Sequence, residues 1–351
     1  MTSQPARASL WPVTGTPREV LDLLHPWVLD GGEPLVVRTS GSTGAPKGVV
    51  LSHAAVVASA ESSLRRLGGA GGWLLAMPVT GVGGLQVLVR SVLAGIDPAF
   101  ADEYSDLQSA TAAVGGERRY ASLVPTQVHR LLRDGHGHVL AHLDAVLVGG
   151  AAMPADQLAS AREAGICVVR SYGMSETCGG CVYDGMALDG VDLRIDEAGQ
   201  VQIGGAVLFD GYADPRATAE ALQGGWFATA DLGEIDAGGQ LRITGRIDDV
   251  TQSGGVNVPL AAVTAALRTI NEAADAVALG VPDPEWGHRV VAFVVPDDAV
   301  CLDGLRLDAV RDHVEEAGLP RTWAPREVVL LDALPLLPGG KIDRQALTGR
   351  R

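Results

Sequence analysis

Between Arg38 and His53 the chain reads RTSGSTGAPKGVVLSH, with glycines, hydroxyl side chains and one lysine set between the apolar runs LVVR and GVVL. Such a stretch is suited to hold an oligophosphate. Gly41, Gly44 and Gly48 let backbone N–H groups turn inward, Ser40, Ser42 and Thr43 add hydroxyl donors, and Lys47 brings a positive charge. It is not a Walker A loop, which needs Gly before the lysine and Ser or Thr after it, where Pro46 and Gly48 stand. The stretch runs from strand to strand, with Ser52 the expected N-cap of the next helix, so no helix dipole faces the phosphates. A plain polar surface loop is the alternative, and the density of these residue types disfavours it.

The lysine is itself unusual, because among 27 Lys and Arg residues only Lys47 and Lys341 are lysines, and both stand in Gly-rich loops. A compact ammonium on a flexible stem approaches phosphate as a point charge. At 351 residues and 47% hydrophobic, the chain can bury a full core and exceeds the usual size of one domain, so two domains are expected. A formal charge of -15 argues against nucleic acid or an anionic membrane as partner. The N-terminus lacks the apolar run of a signal peptide and no stretch is suited to membrane insertion, so a soluble, cytoplasmic protein is expected. Four cysteines are too few for a disulfide framework. The CxxC formed by Cys178 and Cys181 lies in a Gly-rich stretch, where reduced, pocket-lining residues are favoured over a redox pair.

Short apolar runs alternate with helical patterns over the first two thirds, which is α/β architecture. A helix is expected from His53 to Leu67 and another near Leu85 to Leu93. DAVLVGG and CVVRSYG read as parallel strands with ligand loops at their C-terminal ends. From about Val182 the helices stop and short strands take over (DLRID, QVQIGG, GGWFATADLGEID, QLRITGR), a β-rich subdomain over 182–245. After GRIDD the order becomes helix (Val258 to Ile270), two strands, helix (Arg306 to Ala317) and strand. The expected division is therefore 1–245 as a large α/β N-terminal domain and 246–351 as a small, mobile α+β C-terminal domain.

STGAPKG resembles the phosphate loop of the adenylate-forming enzymes, the family of acyl-CoA synthetases, carrier-loading adenylation domains and luciferases. Four further stretches agree in order and spacing. VGGAAMP resembles the adenine-contacting loop (Gly149, Gly150, Ala151), and SYGMSETCGG the aromatic-Gly-x-Ser/Thr-Glu segment. ATADLGEI and GRIDDVTQSGGVNV resemble the ribose-binding aspartate motif and the hinge, and PGGKIDR the C-terminal lysine loop. The resemblance implies ATP and Mg2+ as cofactors and CoA as co-substrate.

Physical readings accompany the motifs. Tyr172 offers a face for adenine, with Gly173 and Met174 beside it. Glu176, an acceptor-only carboxylate near triphosphate, makes sense with a hard cation between them. Thr177 is a hydroxyl donor for the α-phosphate, Asp231 can accept from both ribose hydroxyls, and Arg246 can reach ribose or phosphate. By resemblance Asp248 is the hinge, Gly254 and Gly255 line the pantetheine tunnel, and Lys341 serves the adenylating step only.

ASLVPTQVHRLL and SYGMSETCGGCVYDGMALDGV resemble the o-succinylbenzoate-CoA ligases of menaquinone synthesis. Their substrate keeps an aromatic carboxylate that needs a partner. Arg90, after PVTGVGGLQVLVR, is the candidate, with Gly83, Gly84 and Ser171 also on the substrate side; the alternative is that Arg90 is a solvated helix residue. Thr80 and Gly81 stand where many members carry an aromatic-His pair, which leaves the acyl-pocket wall open. The phosphate loop lies close to the N-terminus, so an edge normally covered by a longer leading segment invites a homodimer. His136, His138 and His142 are spaced like metal ligands but lack a matching carboxylate. Rival readings are an enzyme for another acyl or aryl acid, one that loads a carrier protein, and a non-catalytic nucleotide-binding regulator.

Overall fold

The computed structural model describes residues 13–39, 47–297, 302–337 and 342–349, leaving aside the side chains of Asp248, Leu302 and Asp303. Ser40, Gly41, Ser42, Thr43, Gly44 and Lys341 therefore lie outside the described residues.

Helix α1 (Pro17–Asp30) opens with a capping box between Thr16 and Glu19. Strands β1 (Leu35–Thr39) and β2 (Lys47–Leu51) flank the Gly-rich stretch and pair antiparallel. Their connection is too short for a parallel crossover. Ser52 caps α2 (His53–Leu67), accepting from the Ala55 N–H at 3.4 Å, as the sequence implies. Then come β3 (Gly72–Leu75), α3 (Val82–Ala94), β4 (Ala99–Phe100), α4 (Leu107–Ala112), β5 (Arg119–Leu123) and α5 (Pro125–Arg133). They are followed by β6 (Ala145–Val148), α6 (Ala155–Glu163), β7 (Val168–Met174), β8 (Gly179–Tyr183) and β9 (Met186–Ala187). These build a seven-stranded sheet in the order β4-β3-β5-β6-β7-β8-β9, parallel from β4 to β7 and antiparallel beyond.

Alternate residues of the central strands feed two cores. Trp73, Leu75, Tyr120 and Leu147 face α2 and α3, while Leu74, Ala121, Leu123, Val146 and Val148 face α4, α5 and α6. Burial on both faces explains why these strands read as continuous apolar runs. Helix α3 starts three residues before its expected Leu85, taking Gly83 and Gly84 into its first turn. A Cβ on Gly84 would stand 2.4 Å from the Pro78 carbonyl oxygen, so the helix start packs directly on the turn before it.

The β-rich part holds β10 (Val191–Ile195), β11 (Gln200–Gly205), β12 (Gly211–Tyr212), α7 (Pro215–Ala221), β13 (Leu222–Gln223), β14 (Trp226–Ile235) and β15 (Leu241–Arg246). One helix, α7, interrupts the expected run of strands: Asp214 caps it, Pro215 fits its first turn and Ala-rich sequence carries it. Strand β12 leaves its neighbours and joins β2, placing Tyr212 opposite Val49.

Beyond Arg246 the order is β16 (Val250–Ser253), β17 (Val256–Pro259), α8 (Leu260–Leu267), β18 (Ala273–Asp283), β19 (Gly287–Pro296), α9 (Leu307–Glu316), β20 (Glu327–Leu330) and α10 (Arg344–Thr348). Helix α8 begins later than Val258 because Val256–Pro259 pairs with β16 and Pro259 cannot enter a helix interior. Strands β16 to β20 form their own sheet. It is covered on one face by α8 and α9 and on the other by Leu334 and Leu347. Among the described strands no ladder joins residues before Arg246 to residues after Val250.

The reversal from β7 to β8 leaves no room for a side chain at Gly173, whose Cβ would stand 2.0 Å from the Gly179 carbonyl oxygen. Gly173→Ala is expected to lower stability by roughly 1–3 kcal/mol. The check is the denaturant midpoint, which should fall with its slope unchanged.

Candidate active site

The loops after β5, β6 and β7 leave the same edge of the parallel sheet, the side on which open α/β sheets bind ligands. After β6 come Gly149, Gly150 and Ala151, with Gly150 at φ +82°. Ser171 is wedged between two glycines: a Cβ on Gly149 would meet its carbonyl at 3.0 Å, and one on Gly180 its Oγ at 2.1 Å. Met174, at the end of β7, is half-buried against the core, and its N–H donates to Thr177 Oγ1 at 2.9 Å. Thr177 is fully buried and donates its hydroxyl to the Gly179 carbonyl at 2.7 Å. In this conformation the Thr177 hydroxyl shapes the turn and is not turned outward to a phosphate.

Tyr172 donates its hydroxyl to Asp231 Oδ2 at 2.7 Å, and Arg246 Nη1 donates to Oδ1 at 3.0 Å. Asp231 and Arg246 stand directly opposite in the β14–β15 ladder, so strand register alone brings them together. The Asp231 N–H donates to Thr229 Oγ1 at 3.0 Å, fixing the backbone beneath. Burial, and then the neighbouring Asp231 charge, push the Tyr172 phenol far above its ordinary range, so it stays a donor. Tyr172, Asp231 and Arg246, drawn from three separate motifs, thus form one network.

A second network joins the Tyr172 motif to the phosphate-loop motif through a residue that sequence reasoning missed. Tyr212 donates to Glu176 Oε1 at 2.8 Å, and Lys47 Nζ lies 5.1 Å from the centroid of its ring. The Glu176 carbonyl accepts from the Phe209 N–H at 2.9 Å. Burial and the Glu176 charge raise the Tyr212 phenol as well. The available signal was the aromatic after Gly211 in FDGYADP, and nothing local in that stretch marks it as a neighbour of Lys47.

Arg90 is not a solvated helix residue: only 3% of it is exposed. Its guanidinium lies 4.6 Å from the centroid of Trp73, and Nε and Nη1 have no hydrogen-bond partner among the described residues. Burial lowers its pKa. One turn earlier on α3, Gln86 Nε2 donates to the carbonyls of Val56 at 3.1 Å and Cys178 at 2.8 Å, tying α3 to α2 and to the Glu176 turn. Cys178 and Cys181 are free and fully buried in the core, so they line no pocket; burial pushes Cys181 up to about 12.

In the C-terminal part, Gly254 and Gly255 form the β16–β17 turn at φ +57° and +81°, a hairpin geometry that glycine accepts readily. A Cβ on Gly254 would meet the Trp286 ring at 2.5 Å. Arg344, at the start of α10, pairs through Nη1 with buried Asp249, the residue after Asp248. The segment leading to Arg344 is closed at its base by a bridge between Leu336 and Ile342, and by the Asp343 N–H donating to the Pro335 carbonyl at 2.8 Å.

Residues 35–212 match the model of the AMP-binding enzyme family, and residues 262–341 that of the AMP-binding enzyme C-terminal domain. This chain belongs to the AMP-binding enzyme family. It is 45% identical over 330 residues to the probable 2-succinylbenzoate--CoA ligase of Mycobacterium tuberculosis (strain H37Rv), covering 92% of this chain and 85% of the relative. It is 30% identical over 351 residues to the 2-succinylbenzoate--CoA ligase of Listeria monocytogenes serotype 4b, covering 95% and 73%. Among solved structures, o-succinylbenzoate CoA synthetase from Bacillus subtilis, in complex with the acyl-adenylate intermediate OSB-AMP, superposes with a TM-score of 0.75 at 28% identity. That match covers 90% of this chain and 67% of that one. The same synthetase in complex with ATP and magnesium ion gives 0.73 at 26% identity, covering 90% and 69%.

Within this AMP-binding enzyme the Tyr172–Asp231 bond can be weighed by itself. Tyr172→Phe and Asp231→Asn, made singly and together, are expected to show a coupling energy of about 0.5–3 kcal/mol in denaturant unfolding. Strict additivity would mean that the hydrogen bond contributes nothing to the fold.

Proposed function

We propose that this chain joins 2-succinylbenzoate to CoA through an acyl-adenylate, releasing AMP and pyrophosphate, in menaquinone biosynthesis. The observation that carries the substrate assignment is Arg90. A buried guanidinium with two nitrogens unpartnered among the described residues calls for an anion. The aromatic carboxylate that stays ionised while the succinyl carboxylate reacts would supply it. The named relatives at 45% and 30% identity support the same reading.

The chemistry follows from a difficulty: a carboxylate is a poor electrophile. One of its oxygens attacks the α-phosphorus of ATP, the bond from that phosphorus to the bridging oxygen breaks, and pyrophosphate leaves. The CoA sulfur, as thiolate, then attacks the acyl carbon, and AMP departs with the bonding pair of the anhydride oxygen. In this proposal Lys341 offsets the negative charge that gathers as carboxylate and α-phosphate meet. Lys47, with Ser40, Gly41, Ser42, Thr43 and Gly44, holds the β- and γ-phosphates. Asp231 and Arg246 hold the ribose, and Gly149, Gly150, Ala151 and the Tyr172 ring the adenine.

Glu176 fits a magnesium ion as a hard oxygen donor with one oxygen bonded to Tyr212 and the other accepting nothing among the described residues. No group of three or more His, Cys, Asp or Glu gathers among the described residues, so the ion would share Glu176 with substrate phosphates, a usual arrangement for magnesium. Bound there, it would neutralise phosphate charge.

Asp248 serves as the hinge at a boundary near Arg246. After adenylation the C-terminal domain turns about it, removing Lys341 and bringing Gly254 and Gly255 to the pantetheine path. No described helix is long and apolar enough to cross a membrane. The free buried thiols fit a reducing cytoplasm, where ATP and CoA are available. A homodimer would cover Leu23 and Leu29, which stand exposed on α1.

Thioester formation across a panel of acids tests the substrate. Turnover of 2-succinylbenzoate is expected to dominate, and activity on benzoate or fatty acids with none on 2-succinylbenzoate would overturn the assignment. Arg90→Gln should raise the KM for 2-succinylbenzoate at least about 30-fold with ATP affinity unchanged. Lys341→Ala should abolish adenylation yet spare thioester formation from supplied acyl-adenylate; equal loss of both would remove Lys341 from its role.

A further inference from the structure

Lys47 and Glu176 carry opposite charges on neighbouring elements, and both must stay available to a nucleotide with its cation. An ammonium and a carboxylate free to approach one another form an ion pair, which would occupy each at the other's expense. Tyr212 stands between them. Its ring is approached by Lys47 Nζ at 5.1 Å from the centroid, and its hydroxyl donates to Glu176 Oε1 at 2.8 Å. An aromatic ring attracts a cation to its negative face, while a phenol hydroxyl at the ring edge suits a carboxylate.

The tyrosine is itself held firmly. Its backbone pairs with Val49 on β2, two residues after Lys47, and its N–H donates to Thr218 Oγ1 at 2.8 Å. Gly211 before it takes φ +143°, and a Cβ there would stand 2.6 Å from Thr218. Phe209 packs edge-on against the ring at 5.0 Å between centroids, and the Phe209 N–H donates to the Glu176 carbonyl. Ring and carboxylate are thereby referenced to the same short segment, 209–212.

We propose that Tyr212 is a positioning residue: it fixes one oxygen of Glu176 so that the other faces the magnesium of the bound nucleotide, and it keeps Lys47 from pairing with that carboxylate. This rests on the assignment of Glu176 to magnesium made above.

The test is ATP binding by calorimetry, with magnesium and with chelator, in the full chain and in Tyr212→Phe, Tyr212→Leu and Glu176→Gln. Tyr212→Phe keeps the ring and loses the hydroxyl. It should leave metal-free ATP affinity unchanged and reduce the magnesium-dependent gain in affinity about three- to tenfold. Tyr212→Leu should also weaken metal-free binding, and adding Glu176→Gln to it should restore that loss, because the released Lys47 then has no carboxylate to pair with. A full magnesium gain in Tyr212→Phe, with that gain lost in Glu176→Gln, overturns the proposal and leaves the Glu176 assignment standing. A full gain in Glu176→Gln removes the assignment itself, and the proposal with it.

Discussion

Much of the site depends on one close approach, that of the Gly173 backbone to the Gly179 carbonyl across the β7–β8 reversal. With no side chain between the strands, the turn that follows β7 is tight, and Thr177 spends its hydroxyl inside it. Tyr172 then points toward β14 and Glu176 toward β12, two elements far along the chain. The Cys178 carbonyl, at the left-handed residue of the same turn, receives hydrogen bonds from Ser59 on α2 and Gln86 on α3. One reversal therefore sets the positions of Tyr172 and Glu176 relative to both α2 and α3.

Electrostatics complete what the backbone begins. Asp231 is nearly buried, and its two oxygens each accept a charged or phenolic donor, so the cost of desolvating it is offset locally. Arg90 shows the opposite condition. Its charge is buried against Trp73 with two donor nitrogens unmatched among the described residues, which costs stability.

Local chemistry was legible from the chain, and long-range partnership was not. The bounds of α2 and its Ser52 cap follow from periodicity and a side-chain acceptor within four residues. The late start of α8 was available too, since Pro259 marks it, but the apolar pattern through Val258 masked the proline. Helix α7 is too short for periodicity to distinguish it from the strands around it. Arg90 could be read from the chain as either pocket-facing or solvated, and its burial against Trp73, on another element, decides between them. Tyr212 gives no local sign at all, because its meaning lies in a two-residue strand pairing with β2 across more than half the large domain. Tyr172, Asp231 and Arg246 come from three motifs, and the hydrogen bonds linking one motif to the next came only with the strand register.

The pairing of Arg344 with Asp249 bears on mechanics as well as on packing. It joins the residue beside the proposed pivot to the helix that follows the lysine-bearing loop, and the Leu336–Ile342 bridge closes that loop at its base. The base of the loop is thus tied to the residue beside the proposed pivot. Under the proposed turning at Asp248 that base would swing with the pivot and keep its distance from it.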